Sequence, residues 1–331
     1  MNLFIFSFKM KKFLSRLILF IVIMFIIGLI KLALSPNSNY SYAFLNAKLE
    51  FLEKHPEYNM YFIGSSKIND QIDCKVIDQN IKGVKSYNLG ANAGFDLENF
   101  QTLDFILNNK NFKPKYIVVE LQDKIKVTKT NIKTERSFGA FNYDNTAFAV
   151  KYHKENKDYK QIGLSLVSFV LNVFHFNKYF DEKDIQKADN NFVSKNQGFS
   201  PLEFSVVPRT EENKLRAIIK DRLERYHADH NKYQPNKALV NKINELAERC
   251  KKKNIQLIML VPGPAEPDAK KLEVYQNVLK VPLVSLVNPD EYTEFYLYEN
   301  RWDTGHLNSK GSKILSEKTA LHLEKILDKK Q

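Results

Sequence analysis

Two nearly continuous apolar runs, residues 116–121 (YIVVEL) and 255–261 (IQLIMLV), constrain the fold of this chain more than any other feature. Runs of this length bounded by polar residues are typical of strands that are covered on both faces, as in a parallel sheet. Further strand patterns occur at 58–64, 86–89 and 281–287. Helical patterns lie between the strands at 70–79, 95–108, 236–252 and 268–279, with a last one at 309–327. The alternation predicts an α/β fold with a doubly wound, parallel, five-stranded sheet.

The first 36 residues have the composition of a membrane anchor. Residues 17–30 are an unbroken apolar run, and the mostly apolar stretch 13–34 would rise about 33 Å as a helix, which is enough to cross a bilayer. Basic residues precede it at Lys9, Lys11, Lys12 and Arg16. The positive-inside rule then predicts a cytosolic N-terminus, with the chain after about residue 36 outside the cytosol. A cleaved signal peptide is the alternative, but Pro36 in the first mature position disfavours cleavage, so we expect a single-pass anchor.

The composition of the chain excludes several classes of protein. With 331 residues, 44% of them hydrophobic, it can bury a full core. The net charge of +12 is spread along the sequence instead of forming a basic stripe with stacking aromatics, so we expect no nucleic-acid partner. A basic surface beside an anionic membrane or polymer is the milder inference. The cysteines, Cys74 and Cys250, have neither a disulfide-framework nor a metal-motif spacing; free thiols are the simpler interpretation.

The chain divides into five segments. Residues 1–36 are the basic tail and anchor, and 37–57 are a linker with a short amphipathic helix. Residues 58–123 and 236–331 are the two parts of the α/β domain, and they are separated by a mostly helical insertion at 124–235, where the alternation fails. Within the insertion, 163–180 reads as an apolar helix that is too short for a confident second span. It is either part of a subdomain core or a membrane-facing or acyl-binding lid.

Two short motifs 240 positions apart carry the chemistry. GSS at 64–66 follows the first strand, and DTGH at 303–306 precedes the last helix. A serine at a strand-to-helix turn can be an exposed nucleophile, and a histidine three residues after an aspartate can supply the base and its orienting carboxylate. Ser66 is the expected nucleophile, with Ser65 as the alternative, His306 as the base and Asp303 as the orienting group. The alternative is a purely structural role, in which these residues only cap the helices or turns at the two places.

These motifs, with NLGA at 88–91, resemble the blocks of the SGNH (GDSL-type) hydrolase superfamily, with Ser65 in place of the usual Asp. The resemblance covers about residues 58–122 and 236–328. The GSS variant is similar to the membrane-anchored branch that serves cell-envelope acylation, which includes D-alanyl-lipoteichoic-acid transfer proteins and polysaccharide O-acetyltransferases. It implies a flavodoxin-like sheet, a glycan or teichoic-acid-like acceptor and a multi-spanning membrane acyltransferase as partner. A plain esterase or deacetylase and a catalytically inactive scaffold are the alternatives.

A serine acyl-transfer site also needs donors for the oxyanion. The backbone N–H groups of Ser66 and Gly90 are the predicted donors. Family members add an asparagine after the third strand, where this chain has ELQD at 120–123. Gln122 could replace it, and Asn92 is another amide nearby. His227 and His230 lack a third metal ligand, so we expect neither a metal nor a cofactor.

Overall fold

The computed structural model describes residues 2–34, 43–92, 94–125, 140–173, 191–203, 212–230, 232–264 and 269–328. Its strands are β1 (Met60–Gly64), β2 (Ser86–Gly90), β3 (Tyr116–Glu120), β4 (Gln256–Val261) and β5 (Leu283–Ser285). They form one sheet in the order β2-β1-β3-β4-β5, and each neighbouring pair is parallel. The predicted parallel, five-stranded α/β sheet is confirmed, and its strand order is that of flavodoxin-like doubly wound sheets.

The helices lie before, between and after the strands. Those that precede β3 are α1 (Asn2–Leu34), α2 (Ala43–Glu53), α3 (Ser66–Asn69), α4 (Cys74–Asn80) and α5 (Asp96–Asn108). Between β3 and β4 come α6 (Tyr143–Glu155), α7 (Tyr159–Val173), a π-helical turn (Asn191–Lys195), α8 (Glu212–Ala228) and α9 (Lys237–Lys251). The rest are α10 (Lys270–Glu273), 3₁₀ turns at Thr293–Tyr296 and Tyr298–Asn300, and α11 (Ser309–Asp328).

Side chains that alternate along each strand fill two cores on opposite faces of the sheet. Tyr61 and Ile63 of β1 point into a core shared with α2, α5 and α9, whereas Met60 and Phe62 point into one shared with α4 and α11. Cys250 lies in the first core and Cys74 in the second, and both are buried and free. The sheet therefore separates the two thiols. The doubly wound architecture follows from strands that are apolar on both faces.

The helix predicted at 268–279 is much shorter than expected. Only Lys270–Glu273 is helical, and the chain then continues in turns. Tyr275 is fully buried there, and its hydroxyl accepts a hydrogen bond from the backbone N–H of Asn236 at 2.9 Å. Tertiary packing of this one side chain therefore overrides the local helical pattern.

Helix α1 contains a 21-residue apolar segment, Met10–Ile30, of which only 6% is buried inside the protein. In the part of the chain that the structure describes, it is the one helix long and apolar enough to cross a membrane. Its length and composition are consistent with the anchor that the sequence predicts.

A loop of the insertion covers the outer edge of β2. The N–H of Asn88 donates to the Gln197 carbonyl at 2.8 Å, and the N–H of Ser200 donates to the Asn69 carbonyl at 2.9 Å. Gly198 has a φ of +80°, and a Cβ there would lie 2.1 Å from the Asn88 carbonyl oxygen, so only glycine fits. The insertion thus satisfies an open sheet edge and reaches the short helix α3.

Candidate active site

Ser66 is the first residue of α3, directly after β1 and its one-residue turn. Its Oγ lies 2.8 Å from Nε2 of His306, 240 positions further along the chain. Because β1 is a central strand of a parallel sheet, its carboxyl end faces the edge where such sheets place their ligand sites. The structure therefore brings the two sequence motifs together at that edge.

Ser65 has a different environment from its neighbour. Its backbone N–H donates to Oε2 of Glu120 at 2.6 Å, and its hydroxyl donates to Oε1 of the same side chain at 3.1 Å. The Ser65 hydroxyl also caps α3 by accepting from the Lys67 N–H at 3.2 Å. A Cβ on Gly64 would lie 2.6 Å from Oε2 of Glu120, so glycine leaves room for this clamp. Ser65 thus fixes the turn, and Ser66 faces the histidine.

Asp303 orients His306 through several hydrogen bonds. Both carboxylate oxygens lie 3.0 Å from Nδ1 of the ring, and Oδ1 also accepts from the backbone N–H groups of Gly305 at 2.6 Å and His306 at 2.8 Å. Burial by itself raises the pKa of the Asp303 carboxyl, but the bonds and charge of His306 and the two N–H groups lower it to about 2. An ionised carboxylate at Nδ1 keeps the proton there and leaves Nε2 as an acceptor for the Ser66 hydroxyl.

Arg301 supports the loop that carries Asp303 and His306. Its side chain is fully buried, and it donates to the carbonyls of Asp303 at 3.1 Å, of Phe295 at 3.1 Å and of Thr304. The main chain of this loop closes with the N–H of Trp302 donating to the His306 carbonyl at 3.0 Å. A planar guanidinium with fixed donors suits these three carbonyls, of which that of Phe295 belongs to the 3₁₀ turn Thr293–Tyr296. Arg301 therefore holds the loop of Asp303 and His306 against that turn.

A cavity of about 230 Å³ opens beside Ser66, at the carboxyl ends of β3 and β4. Three lysines line it, Lys67, Lys124 and Lys271, with apolar side chains between them. The Lys67 Nζ donates to the Pro264 carbonyl at 3.2 Å, and the Lys271 Nζ lies 2.7 Å from Oδ2 of Asp123. Glu120 lines it as well, so the space next to the serine is small and partly apolar, with more cationic than anionic side chains.

The predicted oxyanion donors are placed unevenly. The Ser66 N–H stands at the first position of a helix, where no intrahelical acceptor exists. Gln122 lines the cavity beside Ser66. The side chain of Asn92 accepts from Asn69 at 3.0 Å. The Gly90 N–H donates to Oδ1 of Asn88 at 2.8 Å, which corrects its predicted role, because its own strand satisfies this donor. That a second donor, besides the Ser66 N–H, binds the oxyanion stays a prediction.

Lys48 on α2, the helix that follows α1 in the chain, contacts the end of α3 and the end of β2. It is fully buried, and its Nζ donates to Oδ1 of Asn69 at 2.7 Å and to the Gly90 carbonyl at 2.8 Å. Asn69 in turn donates to Oδ1 of Asp70 at 2.5 Å. Burial lowers the pKa of Lys48 to about 7 against the opposing charge of Asp70. Burial likewise raises the pKa of Asp70 to about 6 against the charge of His306. This polar cluster therefore fixes the end of α3.

Replacing Lys48 by methionine is expected to lower the free energy of unfolding by about 2–4 kcal/mol, because buried acceptors lose their donor. Unfolded Lys48 holds its proton up to a pKa near 10.4, whereas folded Lys48 releases it near 7. Between these pH values the unfolded state binds more protons, so Lys48 makes stability rise with pH. Thermal unfolding of the full chain in detergent at pH 7 and 9 should show the gap between wild type and Lys48→Met widening at pH 9.

The matched control for this substitution is Lys54→Met. Lys54 is exposed just after α2, so we expect its loss to change stability by less than about 0.5 kcal/mol at either pH. Unfolding curves of wild type and Lys48→Met that stay parallel from pH 7 to 9 contradict the prediction.

Sequence reasoning missed Glu120, Arg301 and Lys48. Lys48 had a visible signal, since it lies on the apolar stripe of α2 with Phe44, Leu45, Leu49 and Leu52. Glu120 had none, because it binds Ser65, which is 55 positions away. Arg301 binds carbonyls two to six positions away, and no motif in the sequence signals that its loop folds back around the guanidinium. As for the two histidines of the insertion, Nε2 of His227 lies 3.7 Å from Asp290, and His230 follows the end of α8. Within the described ranges, no group of three His, Cys, Asp or Glu side chains could hold a metal ion.

No known family model and no curated protein matches this chain. The functional conclusion therefore rests on the geometry of the site and on the sequence motifs that form it.

Proposed function

We propose that this chain is a membrane-anchored, extracytoplasmic serine acyltransferase of the SGNH type, which moves an acyl group, acetyl or D-alanyl-like, onto a cell-envelope polymer. The observation that carries the proposal is the contact of 2.8 Å between Ser66 Oγ and His306 Nε2, with Asp303 at the other ring nitrogen. Capping alone gives no reason for this chain of contacts, because Ser65 and not Ser66 caps the helix.

In the first half-reaction, His306 Nε2 takes the proton of the Ser66 hydroxyl as Oγ attacks the carbonyl carbon of the acyl donor. The carbonyl electrons move to oxygen, where the Ser66 N–H can stabilise the anion. The tetrahedral intermediate collapses, the bond to the leaving group breaks, and His306 gives its proton to that group. Asp303 stays ionised and stabilises the imidazolium. The product is acyl-Ser66 and a free, protonated leaving group.

In the second half-reaction, an acceptor hydroxyl takes the place of the leaving group. His306 removes the proton of the acceptor hydroxyl while the hydroxyl oxygen attacks the acyl carbon. His306 then gives this proton to Ser66 Oγ as the ester bond to the enzyme breaks. A sugar or alditol hydroxyl gives transfer, and water gives hydrolysis by the same residues. Transfer is favoured by the apolar helix α1, which would hold the domain beside polymers at the membrane.

The environment of Ser66 also supports an acidic polymer as acceptor. The cavity beside it is lined by three lysines, Lys67, Lys124 and Lys271, against one carboxylate, Glu120; Lys271 is also paired with Asp123. Cations in a partly apolar, confined space attract a phosphate or carboxylate group more strongly than the same cations in open water. A teichoic-acid-like polymer carries such groups. The acyl donor would come from a multi-spanning membrane acyltransferase on the same membrane, with the basic residues before α1 in the cytosol.

Trapping the acyl-enzyme tests this proposal. Full-length protein in detergent, mixed with p-nitrophenyl acetate and quenched with acid, is expected to gain one acetyl group, which peptide mass spectrometry should place on Ser66. Adding glycerol or a glycan should shift product from acetate to acetylated acceptor. An acetyl group on Ser65, or none on any serine, contradicts the proposal. Acetate as the sole product, whatever acceptor is offered, favours the esterase.

Loss of the gene gives a second, cellular test. Envelope glycans from a deletion strain are expected to lose acyl esters, and a Ser66→Ala copy should not restore them. An unchanged acylation profile counts against transfer, even where the acyl-enzyme forms in vitro.

A further inference from the structure

Helix α7 (Tyr159–Val173) turns polar side chains inward and apolar side chains outward, the opposite of a helix on the surface of a soluble domain. Three of the four side chains that it buries are small and polar, namely Ser165, Ser168 and Asn172, and the fourth is Val173 at its end. Apolar side chains on the opposite face are exposed, with Leu166 at 48%, Val167 at 47% and Val170 at 40%. The spacing 166, 167, 170 is that of a continuous helical stripe. Water would therefore contact the apolar face of this helix.

The buried polar groups of α7 are satisfied inside the protein. Ser165 donates to the Gln161 carbonyl at 2.8 Å, and Ser168 donates to the Leu164 carbonyl at 2.9 Å, both within the helix. Asn172 donates to the Phe141 carbonyl, just before α6, at 3.2 Å. The polar side chains of the inward face thus have their hydrogen-bond partners within the protein, and the outward face can contact an apolar medium such as lipid. Lys160, near its start, is its only charged residue.

The end of α7 contacts the apolar segment of α1. A Cβ on Gly28 would lie 2.5 Å from Cγ1 of Val173, so glycine allows the two helices to approach closely. Gly28 lies two residues before the end of the segment Met10–Ile30. If α1 crosses a bilayer, Val173 therefore lies near the outer limit of the hydrocarbon. From Val173 back to Leu166 is about 10 Å along the helix at 1.5 Å per residue. The exposed stripe lies within that distance of the membrane level.

We infer that α7 is a second membrane contact, an interfacial helix whose stripe Leu166–Val167–Val170 dips into the outer leaflet of the bilayer that α1 crosses. At 15 residues it rises about 22 Å, too little to cross a hydrocarbon core of about 30 Å. Interfacial helices bury their apolar face about 5–10 Å deep at the boundary between headgroups and acyl chains. The inference rests on the membrane anchor of the proposed function but not on the chemistry of Ser66. Two attachment points would hold the site at a fixed orientation to the membrane.

Site-directed spin labelling of the full chain in pure phospholipid vesicles tests this inference. Both native cysteines are buried, so a single exposed cysteine can be labelled selectively. Leu166→Cys is the test position and Leu321→Cys on α11 is the matched control, because the two leucines are 48% and 47% exposed. Ile21→Cys in the middle of α1 reports on the anchor. Collision rates with oxygen, which concentrates in lipid, and with a water-soluble nickel complex locate each label.

The expected result is that the labels at 166 and 21 collide severalfold more with oxygen and less with nickel than the label at 321. A label at 166 that behaves like the one at 321, while the label at 21 lies in lipid, overturns the inference. Labels at 21 and 166 both in water overturn the anchor as well. Acetylation of Ser66 is read separately, so failure of the chemistry and failure of the membrane contact are distinguishable.

Discussion

Ser66→Ala is expected to lower kcat/KM for ester turnover by about four to six orders of magnitude, because the nucleophile is lost and only binding and oxyanion stabilisation are left. The fold should not change. Ser66 is the first residue of α3, where alanine is accepted, and the capping residue Ser65 stays in place. Hydrolysis of p-nitrophenyl acetate by the purified full chain measures the activity, and thermal unfolding in the same detergent measures the stability.

Ser65→Ala is the matched control, and it should show the opposite pattern. It removes the cap of α3 and the hydroxyl bond to Glu120, so we expect a loss of about 0.5–2 kcal/mol of stability. The Ser66–His306 contact and the Ser65 N–H bond to Glu120 are unaffected, so activity should stay within about tenfold of wild type. If Ser66→Ala keeps a tenth of the activity or more, or if Ser65→Ala alone abolishes it, the assignment of the nucleophile is wrong.

Asp303→Asn is expected to lower kcat by about 10⁴ while the loop keeps its shape. The asparagine Oδ1 can still accept from the N–H groups of Gly305 and His306. Its Nδ2 would take the place of the second carboxylate oxygen, 3.0 Å from Nδ1 of His306. An amide N–H there donates to an unprotonated Nδ1 and competes with Oδ1, which still lies 3.0 Å from Nδ1. It therefore favours the ring proton on Nε2, and in that tautomer Nε2 cannot accept the proton of Ser66.

The pH profile of this variant separates a tautomer effect from simple unfolding. Since the pKa of Asp303 is about 2 in the folded protein, the wild-type carboxylate is ionised throughout the working range. Asp303→Asn should therefore be impaired at every pH from 5 to 9, and its melting temperature should fall by less than that of Asp303→Ala, because only the charge is lost and the bonds to Gly305 and His306 are kept. The counter-result is activity that recovers to near wild type at any pH in that range. Asp303→Ala, which also removes the bonds to Gly305 and His306, should lower both activity and stability.

The strands and their parallel arrangement could be predicted because their physical causes are local. Runs such as YIVVEL are apolar at all positions but one, and a sheet covered on both faces buries such a run. The boundaries moved by only one or two residues at most strands, for example from 116–121 to Tyr116–Glu120. The helix at 268–279 could not be predicted in the same way, because the burial of Tyr275 is a long-range contact.

Helix α7 also shows what a local sequence pattern leaves undetermined. Its sequence has a strong apolar pattern, which by itself fits a core helix as well as a membrane-facing one. Only the structure tells which face packs inward, and the face that does so carries Ser165, Ser168 and Asn172. Periodicity gives the angle between the polar and apolar stripes of a helix, but not the direction in which either points.

The sequence by itself determined the class of fold, the apolar N-terminal helix and the two short motifs that meet, because strand length, hydropathy and turn residues act over a few neighbouring positions. Only the tertiary structure decided between the two serines. Ser65 and Ser66 differ by one position, and that position decides whether a hydroxyl turns toward Glu120 or toward His306. The tertiary structure likewise removed Gly90 from the predicted oxyanion donors, because its N–H donates to Asn88. It added Lys48 and Arg301 to the residues that support the site. The contact of Ser66 with His306 spans 240 positions and that of Ser65 with Glu120 spans 55, and no rule for neighbouring residues specifies such distant pairs.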